Sequence, residues 1–225
     1  MVFSQAFMGA IASSQAGIVD GAYWVAGSAG GSGGNRKIIK TVFASDATST
    51  LAATLANGTY GFAGFGNGAV AGYTGGNDIG TGAFGSNVIS KQTFADESNV
   101  ELAATLGGIR WGTGAAANSG TAGYFAGGQQ RNGSSARIDD IDKLDFDDDS
   151  CAAITPVLSA NTFATQAAAN GSTAAYWFGG DVGSVTDKID KTAFSDDATA
   201  AITPTLTVAA VYGAAFANSG TAAYI

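Results

Sequence analysis

The stretch Lys188-Ile-Asp-Lys-Thr-Ala-Phe-Ser-Asp-Asp alternates apolar and polar positions. This is the period-two pattern of a half-buried strand, with Ile189 inward and Lys191 outward. The same motif, Ile-x-Lys-x-x-Phe-x-x-acid, falls at Ile38/Lys40/Phe43/Asp46, Ile89/Lys91/Phe94/Glu97, Ile141/Lys143/Phe146/Asp149 and Ile189/Lys191/Phe194/Asp197, in steps of 51, 52 and 48 residues. An Asn followed six residues later by a Tyr keeps those steps at Asn67/Tyr73, Asn118/Tyr124, Asn170/Tyr176 and Asn218/Tyr224. Leu55, Leu106, Leu158 and Leu206 keep them again. Three markers in one register define a repeat, and its period governs the architecture.

Each unit predicts four strands. A small-residue run (Gly61-Phe-Ala-Gly-Phe, Gln166-Ala-Ala-Ala) leads to Asn-Gly or Asn-Ser-Gly, residues that tolerate the positive φ of a tight hairpin. An aromatic strand ending in paired glycines follows, at Gly75-Gly76, Gly127-Gly128 and Gly179-Gly180. After a loop of variable length come the Ile-x-Lys-x-x-Phe strand, an acidic turn and a short closing strand ending at the Leu.

This order, repeated about every 50 residues, resembles kelch repeats over essentially the whole chain. The chain departs from that pattern in lacking the Arg that commonly opens a unit and the Trp that commonly closes the third strand. The wording Asn118-Ser-Gly-Thr-Ala-Gly-Tyr-Phe-Ala-Gly-Gly and Ile189-Asp-Lys-x-x-Phe-Ser-Asp-Asp is similar to kelch-like arrays of bacteriophage tail and fibre proteins, notably those of cyanophages. The resemblance implies an all-β fold, a kelch-type β-propeller of four to five four-stranded blades, in one domain over residues 1–225. It also implies a virion protein.

The units run 1–57, 58–107, 108–158 and 159–206, with a half unit at 207–225. Residues 1–27 read as a diverged first half and 28–57 as its second half, so there are five first halves and four second halves. A propeller hides its sheet edges by joining its first and last strands in one blade. The C-terminal half could close a ring with residues 28–57 and free residues 1–27; alternatively, the array is open, or chains continue one another's sheets.

Composition refines this picture. At 225 residues the chain is long enough for a sizeable core. Its 34 glycines suggest disorder, but 46% hydrophobic content and the fixed register argue for packed strands. Only 12% of residues are charged, which suits an extracellular or virion surface. A net charge of −8 with ten basic residues disfavours nucleic acid, whose affinity rests on Lys and Arg neutralising phosphates. Cys151 stands alone, so no intramolecular disulfide is expected. No run reaches the apolar length of a membrane-spanning helix. The opening Met1-Val-Phe-Ser-Gln lacks the basic region of a secretory signal.

Candidate chemistry is sparse. The chain has no His, which removes Ser-His-Asp and Cys-His catalysis and most zinc or copper sites. Gly30-Gly-Ser-Gly-Gly lacks the Gly-Lys-Ser/Thr and following helix of a phosphate loop, and reads as a connecting loop. Asp139, Asp140, Asp142, Asp145, Asp147, Asp148 and Asp149 have the residue type of a hard-cation site. Alternate residues of one strand do not converge on a point, however, so a solvated strand face and turn is the expectation. A glycosidase pair of acids facing across a cleft is disfavoured because the acids recur at the same place in every unit. Tyr23, Tyr73, Tyr124, Tyr176 and Tyr224 are expected in the core, and Trp24, Phe125 and Trp177, on the opposite face, between neighbouring sheets, with exposed stacking groups for sugars or partner proteins as the alternative.

The loops after each Gly-Gly vary between units, and variable loops on a rigid frame are where binding resides. Arg36, Asn77, Asp78, Gln129, Gln130, Arg131 and Asn132 are the candidate ligand-binding residues. The expected function is non-catalytic: a tail-fibre or appendage protein presenting loops to a host-surface glycan or protein, or to other virion proteins, as an oligomer within an assembly. It needs no cofactor and no metal. The alternative is a carbohydrate-binding, lectin-like module of a bacterial surface protein.

Overall fold

The computed structural model describes residues 10–11, 21–25, 36–55, 61, 63–77, 85–131, 135–218 and 221–225, and every regular element among them is a β-strand. The first unit gives β1 (Ala10–Ile11), β2 (Gly21–Val25), β3 (Lys37–Val42) and β4 (Ala47–Thr54). The second gives β5 (Ala63–Asn67), β6 (Ala71–Gly75), β7 (Ser86–Thr93) and β8 (Asn99–Arg110). The third gives β9 (Gly114–Asn118) and β10 (Ala122–Ala126), a separate hairpin of β11 (Gln129–Arg131) and β12 (Ser135–Arg137), then β13 (Ile141–Asp145) and β14 (Cys151–Ala153). The fourth gives β15 (Gln166–Asn170), β16 (Ala174–Phe178), β17 (Ile189–Ala193) and β18 (Thr199–Ala201), and the chain ends in β19 (Phe216–Asn218) and β20 (Ala222–Tyr224).

Apart from the β11–β12 hairpin, the strands of each unit pair in chain order, giving four four-stranded antiparallel sheets, I to IV, and a final two-stranded hairpin. The repeat register is also the pairing register. The Tyr of each second strand sits opposite the Lys of the third, as Tyr23↔Lys40, Tyr73↔Lys91, Tyr124↔Lys143 and Tyr176↔Lys191. β8 runs on to Arg110, past the unit boundary expected at 107, through two register shifts against β7.

The first hairpin of a unit closes on its Asn, but the Asn does not take the positive φ itself. The Asn carbonyl accepts from the residue three on, at Val70, Thr121, Thr173 and Thr221. The positive φ falls on glycine instead: Gly68 (48°) and Gly171 (50°) directly after the Asn, Gly120 (77°) one place later. The two spellings are therefore two turns with one outcome.

The core is divided between sheets. Tyr23, Val25, Ile38 and Leu55 of sheet I close over Phe94 of sheet II. Phe65, Tyr73, Ile89 and Leu106 of sheet II meet Phe125 and Leu144 of sheet III. Tyr124, Ile141 and Leu158 of sheet III meet Trp177 and Phe194 of sheet IV. First strands follow one another too: β1 lies against β5, β5 against β9, β9 against β15 and β15 against β19. Small residues allow this approach: a Cβ on Gly114 of β9 would meet Thr165 and Trp177 of the next unit, and one on Gly123 of β10 would occupy the space of the Phe65 ring of the preceding sheet. Phe125 and Trp177 are buried between sheets as expected, whereas Tyr224 is half exposed and Tyr176 only partly buried.

Candidate functional site

A four-residue junction joins each sheet to the next. The Phe after a third strand stacks on the Tyr of the preceding sheet: Tyr23–Phe94 at 4.8 Å, Tyr73–Phe146 at 5.2 Å and Tyr124–Phe194 at 5.1 Å between ring centroids. The acid three residues later accepts the Lys of that sheet: Lys40–Glu97 at 2.6 Å, Lys91–Asp149 at 2.6 Å and Lys143–Asp197 at 2.8 Å. Each Lys also lies over the ring of its own Tyr, 5.5 to 5.7 Å from the centroid. The Tyr73 and Tyr124 hydroxyls donate to the same carboxylates, at 2.8 Å to Asp149 and 2.7 Å to Asp197. The Lys therefore points away from its own strand as expected, but toward the next sheet and not toward water.

The acid pair at each turn divides its work. The first residue fixes the turn: Asp96, Asp148 and Asp196 each accept the backbone N–H two residues on. Hydrogen bonds from Ser98, its N–H first and then its hydroxyl, and from Ser150, its hydroxyl first and then its N–H, hold the Asp96 and Asp148 carboxyls below the usual carboxylate range. The second acid reaches the neighbouring sheet.

The run Asp139–Asp149 is therefore not one solvated face. Asp149 belongs to a junction, and Asp145 accepts from the Asp147 N–H. Asp142 is fully buried, where it takes the Arg110 guanidinium and the Gly107 N–H. Asp190 repeats this one sheet on, with Lys188 at 2.6 Å and the Ser159 N–H at 3.3 Å. Among the described residues no three His, Cys, Asp or Glu side chains gather as a cation site. Cys151 lies beside this pair; burial first, then the Asp142 charge, push its thiol up to about 12, against a smaller opposing pull from Arg110.

The candidate loop residues separate. Arg36 is exposed, and its Nε donates to the Leu55 carbonyl at 2.6 Å, closing the end of β3 against the residue after β4. Asn77 is buried, because it occupies the repeat position of Gly128 and Gly180: counted from the Tyr, Gly75-Gly76 stands one place before the other glycine pairs. Asp78 and Asn132 lie outside the described residues. Gln129, Gln130 and Arg131 form β11, facing β12 in the register Gln129↔Arg137, Gln130↔Ala136 and Arg131↔Ser135.

Sequence reasoning missed the brace on this hairpin. Arg137 of β12 donates to Asp181 at 2.8 Å, and that contact, opposed by burial and helped by the Gly183 N–H, lowers the Asp181 carboxyl pKa. Asp181 occupies the place of Gln129 in the next unit. Gln129 pairs with Trp111 and Asp181 with Phe163, so the loops of sheets III and IV spring from matched roots and are tied to each other. The shared position after Gly-Gly was readable in the sequence; the Arg137 contact across 44 residues was not.

A cleft of about 290 Å³ opens at the far end, lined by Tyr176, Phe178, Ile189 and Ile202 of unit four and by Ala217 and Ala223 of the last hairpin.

No protein-family model and no curated protein matches the chain.

Proposed function

We propose that this chain is a non-catalytic adhesion or structural protein of a phage particle, a kelch-type propeller of a tail fibre or appendage forming one domain over residues 1–225. On this reading the sheets are its blades, and the loops after the second strands meet a host-surface glycan or protein, or a neighbouring virion subunit. One observation carries the reading: the junction residues are the same from sheet to sheet, while the loops rooted at Gln129 and Asp181 differ in form and are cross-braced by Arg137. A rigid frame with dissimilar loops at matched positions suits recognition, because a braced loop loses little freedom on binding.

The test replaces residues 129–137 with a Gly-Ser linker of equal length and compares binding to bacterial cells and to arrayed surface polysaccharides. The circular dichroism spectrum and melting should be retained and binding lost. Unchanged binding would place recognition elsewhere, and turnover of a polysaccharide would favour an enzyme.

A further inference from the structure

The Asn that ends a first strand has a chemistry of its own. Where Gly follows it, the next backbone nitrogen can reach the side-chain carbon, and no side chain shields that nitrogen. Water then removes the amide without an enzyme. Two of the four turns are spelled this way, Asn67-Gly68 and Asn170-Gly171, whereas Asn118 and Asn218 precede Ser. Asn57-Gly58 and Asn132-Gly133 lie outside the described residues.

The two Asn-Gly turns share a backbone and differ in burial. Gly68 and Gly171 hold φ of 48° and 50°, and a Cβ on either would meet no atom within 4 Å. Each Asn carbonyl accepts from the residue three on, Val70 and Thr173. Asn67, however, is only 9% exposed, and its amide donates to the Tyr73 hydroxyl that Asp149 also holds. Asn170 is partly buried, and Gly171, Ser172 and Thr173 are exposed. The tip of sheet III has that same exposure from Asn118 to Thr121, with a complete four-stranded unit after it. The exposure of Asn170 therefore belongs to the turn and not to the end of the chain.

We propose that Asn170 is a self-modification site, at which the folded chain deamidates while Asn67, in the same turn, is protected. The Gly171 nitrogen gives its proton to hydroxide and bonds to Asn170 Cγ. The Cγ–N bond of the amide breaks, and its nitrogen takes a proton from water and leaves as ammonia. Water then opens the cyclic imide at either carbonyl. The product is Asp, or an isoaspartyl link in which the backbone runs through the side chain. The net change is amide plus water to carboxylic acid plus ammonia, so solvent is the sole reactant. At Asn67 the side chain must first leave Tyr73, so the reaction waits for a local opening. The product matters where it sits: Asn170 lines the cleft between the fourth unit and the last hairpin, and the reacted chain carries one negative charge beyond −8. The site does not rest on what the loops bind.

Ageing of the 225-residue chain in mildly alkaline buffer, with peptide mapping by mass spectrometry at intervals, tests it. The Asn170 peptide should gain acid and isoaspartate at least about tenfold faster than the Asn67 peptide. In concentrated urea, where no fold protects either, the two should react at the same rate. Asn118, equally exposed but followed by Ser, should lag behind Asn170 in both conditions. Equal native rates at Asn67 and Asn170 overturn the proposal, as does a native Asn170 that stays intact while the urea-unfolded chain reacts. An Asn118 that keeps pace with Asn170 overturns it too, because the Gly171 nitrogen would then not be what sets the rate.

Discussion

At the turn after each third strand the repeat places an acid in left-handed backbone, with φ between 53° and 60° at Asp46, Glu97, Asp149 and Asp197. Gly adopts that conformation without the roughly 1 kcal/mol that a side chain there costs. An acid is used because its carboxylate is what the preceding sheet binds. The same contact sets the ionisation of the tyrosines. Burial first, then hydrogen bonding to Asp149 and Asp197, hold the Tyr73 and Tyr124 phenols protonated and raise their pKa above the ordinary 10.0. A raised pKa favours the protonated native state. The stability it contributes is complete below pH 10 and is lost as pH climbs beyond it. Lys40, raised chiefly by Glu97, acts in the same direction. Urea midpoints should therefore hold from neutral pH to about pH 10 and fall above it. Tyr124→Phe should cost about 1 kcal/mol at neutral pH and show a shallower alkaline fall.

Between elements, magnitudes decide what holds one sheet to the next. Burying a Phe is worth about 1.5–3 kcal/mol and its stacking about 0.5–1.5 more, whereas a partly exposed ion pair contributes about 0–1. The Lys and acid side chains in these junctions are one-fifth to two-fifths exposed, so the Phe supplies most of the adhesion and the ion pair fixes where it lands. The buried Arg110–Asp142 pair between β8 and β13 is a different case. Its desolvation is large enough to lower the Arg110 pKa, with the Asp142 charge opposing. Removing one partner strands a charge, so Asp142→Asn should cost about 3–5 kcal/mol in denaturant unfolding. Replacing both as Arg110→Met with Asp142→Leu should recover most of that loss. Equal losses for the single and double variants would show that the pair contributes net stability.

On the scale of the molecule, each hydrophobic cluster lies between consecutive sheets, so stability is a chain of nearest-neighbour terms. A break in the middle should divide the array. Phe146→Ala empties the junction between sheets II and III and should convert one cooperative urea transition into a broader one with a smaller m-value. Followed by circular dichroism and by Trp fluorescence in a Trp24→Phe background, it should give two midpoints where the parent gives one, because the remaining Trp111 and Trp177 both lie on the C-terminal side of the break.

The repeat and its four-strand unit were legible in the sequence, because strand periodicity and turn chemistry are local and were spelled four times over. Ile38, Ile89 and Ile141 are buried as their alternation requires. The partners were not legible. Lys91 and Asp149 stand 58 residues apart, and both fit equally well a solvated strand face or a junction. Their recurrence in register was the available signal, but recurrence marks a shared environment without saying which sheet supplies it. Asn77 shows the same limit in the loops, where a glycine pair displaced by one place puts a polar residue in the interior. Sequence determined what each strand is. Only the tertiary structure decided what each face touches, because two successive sheets must meet before a Lys and an acid one repeat apart become neighbours.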